Sequence, residues 1–71
     1  MAAVMTNLKI GQDKIQLKMA NQCMNPYDLC SKAGISYATY RRIIREGTCK
    51  IATLGKLAKA LGCDVTEILE D

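Results

Sequence analysis

Asn25-Pro26-Tyr27-Asp28-Leu29-Cys30-Ser31-Lys32-Ala33-Gly34-Ile35-Ser36-Tyr37-Ala38-Thr39-Tyr40-Arg41-Arg42-Ile43 holds two helix starts and one helix stop in a single short stretch. Asn25 is suited to accept a hydrogen bond from a first-turn amide, Pro26 is preset for the first helical position, and Asp28 places negative charge at the positive end of the helix. Leu29, Cys30 and Ala33 supply an inner face, and Gly34 ends the helix through its tolerance of left-handed backbone. The spacing predicts a helix over about 26–33. Ser36 then caps a second helix over about 37–46, with Tyr40, Ile43 and Ile44 as its apolar stripe and Gly47 as its stop.

The pattern extends outward on both sides. Upstream, Ile15, Met19 and Cys23 recur at i+4 and predict a first helix from about Gln12 to Met24. Before it, Leu8 and Ile10 alternate with Asn7 and Lys9, a period of two that predicts an extended arm or short strand within residues 1–11, broken by Gly11. Downstream, Leu54, Leu57, Ala58 and Leu61 share one face of a helix from about Ile51 or Ala52 to Leu61, with Gly62 at its end. Asp64 and Glu67 match a capping box in looser form and start a short last helix ending near Ile68 and Leu69. The prediction is a compact all-α domain of five helices over residues 12–71, preceded by a short arm.

The chain has 71 residues, enough for one domain, and 49% of them are hydrophobic against 4% aromatic. With no Trp and no Phe the core must be aliphatic. His is absent, which removes the commonest general base and metal ligand. The chain also lacks a Gly-rich phosphate loop and carboxylates paired for catalysis, so no enzymatic activity and no cofactor are expected. Cys23, Cys30, Cys49 and Cys63 contain no C-x-x-C pair, which argues against structural zinc. Met1-Ala2-Ala3-Val4-Met5 lacks the basic start and apolar run of a signal peptide, so disulfides are disfavoured and the thiols are expected to act as small buried hydrophobes. No stretch approaches the ~20 apolar residues of a membrane span. Asp64, Glu67, Glu70 and Asp71 are expected to serve as capping and solubility residues; no metal site is expected.

The net charge of +3 conceals an uneven distribution. Residues 32–59 carry Lys32, Arg41, Arg42, Arg45, Lys50, Lys56 and Lys59 against Glu46 alone, a net +6, whereas residues 60–71 carry −4. All three arginines lie on the predicted third helix. With Tyr40, Ile43 and Ile44 turned inward, Tyr37, Ala38, Arg41, Arg42 and Arg45 fall on the outer side at i+3 and i+4 spacing. Small residues at the start of that helix permit close approach to a groove, and arginine suits bidentate contacts with phosphate and guanine edges.

The quoted stretch resembles the helix-turn-helix of the Cro/Xre family, the lambda-repressor-like DNA-binding domains. Thr53 to Leu69 is similar to that family's fourth and fifth helices, and the likeness covers roughly residues 13–70 with both halves correctly spaced. The resemblance implies sequence-specific binding of double-stranded DNA by a small transcriptional regulator, in most cases a repressor, encoded by a bacterium, a phage or a mobile element and acting in the cytoplasm at the nucleoid. By family position, Tyr37, Ala38, Arg41 and Arg42 fall where bases are read. Asn25, Tyr27, Ser36, Thr39, Arg45, Thr48 and Lys50 fall where the DNA backbone is touched.

Three departures accompany the resemblance. Pro26 stands where a phosphate-clamping Gln is common, Met19 and Ile44 stand at the positions of a frequent Arg–Glu pair, and Arg45-Glu46-Gly47 reads as a loop one residue longer than usual. The expected partner is a palindromic operator bound by a homodimer, joined through either the Leu8–Ile10 segment or the last helix, with no membrane and no small-molecule ligand. The alternative is an antitoxin-like or adaptor module that keeps the fold without reading DNA.

Overall fold

The computed structural model describes residues 7–70. In chain order its elements are strand β1 (Asn7–Lys9), helices α1 (Gln12–Asn21), α2 (Pro26–Ala33) and α3 (Tyr37–Glu46), strand β2 (Thr48–Lys50), helix α4 (Ile51–Leu61), and a 3-10 turn over Val65–Ile68. Residues 1–6, the outer part of the expected arm, and Asp71 lie outside the described residues.

Helices α2 and α3 run over 26–33 and 37–46 because local punctuation sets both ends of each, whereas α4, expected from Ile51 or Ala52, starts at Ile51 without a side-chain cap and is punctuated only at its end. Asn25 and Asp28 exchange backbone and side-chain hydrogen bonds at the start of α2, and Ser36 accepts from the Thr39 amide at the start of α3. Gly34, Gly47 and Gly62 close α2, α3 and α4 in left-handed backbone. Arg45 and Glu46, read as part of a loop by comparison with the family, are the last turn of α3.

The expectation of five helices in an all-α domain is corrected. Four α-helices form, the last segment is a 3-10 turn of four residues, and a two-stranded antiparallel sheet joins the described residues. β1 pairs with β2 in the same chain, with Leu8 opposite Cys49. On the other side of the strand, Ile10 bridges Leu69, the Gly11 amide donates to the Ile68 carbonyl at 2.8 Å, and the Glu70 amide donates to the Lys9 carbonyl at 3.1 Å. This pairing holds Leu69 extended and stops the last turn from growing into a helix, although Asp64 and Glu67 form the reciprocal capping box.

Helix α1 ends at Asn21, three residues short of the expected Met24. The Cys23 amide donates to Ala20 and the Met24 amide to Met19, a Schellman ending with Cys23 in left-handed backbone at φ 56°. Cys23 therefore points to solvent rather than continuing the Ile15 and Met19 stripe. Cys63 is half-buried, so the expectation of four buried thiols holds only for Cys30 and Cys49. Burial pushes the Cys30 thiol up and the Cys49 thiol up to about 11.

α2 packs on α4, and Leu29, Leu54, Leu57 and Leu61 are fully buried there with Ile15 and Ile68. Each such side chain contributes about 1.5–3 kcal/mol through removal from water. Met19 is buried and Ile44 packs partly buried on the same core, so apolar contact occupies the two positions where related chains often place an ion pair. The side-chain Nε2 of Gln12 donates to the Ile44 carbonyl at 2.6 Å, and the side-chain Nε2 of Gln22 donates to the Leu61 carbonyl, tying the start of α1 to α3 and the residue after α1 to α4. Lys18 pairs with Glu67 at 2.8 Å across the surface, which raises the Lys18 pKa and lowers that of Glu67, each mainly through their shared hydrogen bond.

Candidate nucleic-acid interface

The geometry of the turn fixes how α3 is presented. Gly34 reverses the chain after α2, the half-buried Ile35 packs against the core, and Ser36 restarts the helix. The Ser36 hydroxyl accepts from the Thr39 amide at 3.1 Å and donates to the Thr39 hydroxyl at 2.9 Å. Thr39 is thus left with its own hydroxyl proton to donate outward. Tyr40 and Ile43 are buried, with Ile44 and Tyr37 half-buried beside them. At 100° per residue, Ala38 and Arg45 lie opposite that buried stripe, with Arg41 on one flank and Arg42 on the other. All four are exposed, and no ion pair engages any of the three arginines among the described residues.

The two flanks of α3 differ. On the α2 side, the Tyr27 and Tyr37 rings stack with centroids 4.5 Å apart at 23°, and Tyr37 lies 6.3 Å from Tyr40, also at 23°. The Arg41 guanidinium carbon sits 5.9 Å from the Tyr37 ring centroid, within cation–π range. On the β2 side, Thr39, Arg42, Glu46, Thr48, Lys50 and Thr53 line a groove of about 200 Å³.

Helix starts on this surface differ in their capacity for anions. At α2, Pro26 has no amide hydrogen, the Asp28 amide is taken by Asn25 Oδ1 at 2.8 Å, and the Asp28 carboxylate accepts from the Asn25 amide at 3.1 Å. What remains is the Tyr27 amide and the Asn25 side-chain NH2, next to a negative charge. At α4, Lys50 occupies the cap position and no side chain caps the helix. The first-turn amides of Ile51, Ala52 and Thr53 therefore lack helical partners. They open beside a groove that carries the Arg42 and Lys50 cations and three threonine hydroxyls together with the Glu46 carboxylate, a setting that is cationic on balance and suits phosphate.

Residues 14–71 match the family model of the Cro/C1-type HTH DNA-binding domain. The chain belongs to that family. Neither a curated protein nor a solved structure matches it. Cro/C1-type domains bind DNA and are typically non-enzymatic.

Within this Cro/C1-type domain, the residues expected to read bases separate into two settings. Ala38, Arg41 and Arg42 are exposed on the open face of α3, whereas Tyr37 is half-buried in the tyrosine stack. Of the residues expected at the DNA backbone, Asn25 and Tyr27 border the α2 flank, Thr39, Thr48 and Lys50 line the groove on the β2 side, Arg45 lies on the open face, and Ser36 is engaged in the cap of α3. Thr53 joins that groove without having been singled out in the sequence. Its signal was the lack of Ser, Thr, Asp or Asn at the position before Ile51, which leaves the start of α4 uncapped.

The +6 block also divides. Lys32, Lys56 and Lys59 surround a separate concavity of about 380 Å³ floored by Ala33 and Ala60, and no residue of α3 or β2 lines it. No ion pair engages these lysines among the described residues. A charge run continuous in sequence is thus carried on two surfaces.

Proposed function

We propose that this Cro/C1-type domain is a small transcriptional repressor that recognises one duplex sequence, with α3 in the major groove. The observation that carries the reading is the open face of α3: a small residue, Ala38, in the first turn, and around it three arginines that form no ion pair among the described residues. Ala38 allows close approach while Arg41 and Arg42 reach base edges from either side. Arg45, Thr39, Thr48 and Lys50 contact phosphates, joined by Thr53 and the amides that begin α4; Asn25 and Tyr27 make a weaker contact at α2. Tyr37 supports the face, and Ser36 acts through the cap.

Useful affinity comes from a homodimer on a two-fold-related operator, with half-sites one helical turn apart. β1 already bonds within its own chain on both edges around Leu8–Gly11, which favours the last turn over the first strand as the dimer contact. No helix among the described residues is long and apolar enough to cross a membrane, in keeping with action at cytoplasmic DNA.

Selection from a randomised duplex pool tests the proposal. Enrichment of a symmetric motif, and repression of a reporter carrying it, is expected. A pool that stays random at low salt would instead favour the protein-interaction module that keeps the fold without reading DNA.

A further inference from the structure

We infer that Tyr27, on α2, is a positioning residue for base recognition by Arg41 on α3, acting through the ring of Tyr37. The inference rests on the DNA-reading function proposed above and adds a specificity determinant outside the recognition helix.

Three tyrosines form a ladder from core to surface. Tyr40 is buried and anchors the inner end. Tyr37 follows 6.3 Å away, and Tyr27 stacks on it at 4.5 Å, with the same 23° between planes at each step. Tyr27 remains 63% exposed, so its ring is not part of the core, and its contact with Tyr37 bridges two helices. Arg41 lies one turn after Tyr37 on α3, with its guanidinium carbon 5.9 Å from that ring.

Recognition of guanine by arginine needs both nitrogens of a planar fork in one orientation. An exposed arginine has several rotatable bonds and loses their freedom when it is ordered on a base. A guanidinium already resting on a ring has part of that ordering done before DNA arrives. The Tyr37 ring can serve as a fixed platform only if it is held itself. Tyr27 and Tyr40 hold it from α2 and from the core.

The experiment compares wild type with Tyr27→Ala, Tyr27→Phe and Arg41→Ala by duplex selection, then by titration of the selected operator and its single-pair variants. Arg41→Ala should lose about 5- to 150-fold discrimination at one base pair, the range of a bidentate contact. Tyr27→Ala should relax preference at that same pair by about 2- to 5-fold, the range of an exposed cation–π restraint, and Tyr27→Phe should retain it. NMR relaxation of the Arg41 Nε–H group in the free proteins should show it more mobile in Tyr27→Ala than in wild type or Tyr27→Phe. The inference is overturned if Tyr27→Ala weakens all sequences equally, relaxes a different pair, leaves Arg41 mobility unchanged, or behaves like Tyr27→Phe. If wild type itself selects no motif, the DNA-reading function fails and the inference fails with it, an outcome distinct from a selecting wild type matched by Tyr27→Ala.

Discussion

Lys50→Ala and Lys59→Ala remove the same charge at opposite ends of α4 and should have different effects on DNA binding. Lys50 lines the groove beside Arg42 and Thr39 at the uncapped start of α4, whereas Lys59 lines the concavity with Lys32 and Ala60. Each phosphate neutralised by a cation contributes about 0.9 to the slope of log affinity against log salt. If Lys50 touches a phosphate, Lys50→Ala should flatten that slope by about 0.9 per domain, or about 1.8 for a dimer. Between 50 and 200 mM salt this reduces the salt-induced loss of affinity by about 3.5-fold per domain. Lys59→Ala should leave the slope at its wild-type value. Fluorescence anisotropy with the selected operator across that salt range reads both quantities. Equal flattening by the two variants would show that affinity follows total charge and not placement, and would refute the division of the basic block into two surfaces. No flattening by Lys50→Ala would remove the start of α4 from the interface.

Two further perturbations address the scaffold. Cys23 adopts φ 56° without the freedom of glycine, a conformation that costs an L-residue about 1–2 kcal/mol, partly offset by glycine's greater loss of chain freedom on folding. Cys23→Gly should therefore raise stability by about 0.5–1 kcal/mol and Tm by about 2–8 °C, read by thermal unfolding with DNA affinity unchanged, while Cys23→Ala should give no gain. Cys49, held neutral up to about pH 11 when folded, ionises near its ordinary value of 9.0 when unfolded, so the unfolded state binds fewer protons between those values and stability falls as pH rises through the window. Denaturant titrations at pH 8 and pH 10 should show a smaller loss for Cys49→Ala than for wild type.

Legibility from sequence followed the distance over which each feature is determined. The bounds of α2 and α3 and the end of α4 were readable because Asn25, Pro26, Ser36, Gly34, Gly47 and Gly62 act on backbone within a few residues of themselves; the start of α4, which has no capping side chain, stayed open between Ile51 and Ala52. The end of α1 was not, because the left-handed position is filled by Cys23, and the i+4 recurrence of Cys23 after Met19 imitates a continuing helix. Strand β2 is too short for its pattern of polar Thr48, buried Cys49 and polar Lys50 to stand out; it exists because β1 lies beside it. The outward placement of Ala38, Arg41, Arg42 and Arg45 followed from the period of one helix. The stacking of Tyr37 on Tyr27 did not, because it depends on the angle between two helices. The same limit applies to charge: a sum over neighbouring residues does not distinguish Arg42 beside β2 from Lys56 in the concavity with Lys32 and Lys59.

The seating of β1 also bears on how the molecule opens. That strand is bonded to Gly47–Lys50 on one edge and to residues 68–70 on the other, so its docking closes a loop of most of the chain. Such closures carry a high entropic cost and form after local contacts have organised. The α2–turn–α3 unit and the α2–α4 packing depend on none of those bonds. β1 therefore behaves as a latch: released, it costs the burial of Ile10 and the ladder beside it, and leaves the arginine face standing. In exchange terms, the amides of Leu8, Ile10 and Gly11 belong to a less protected unit than those of α2 and α4.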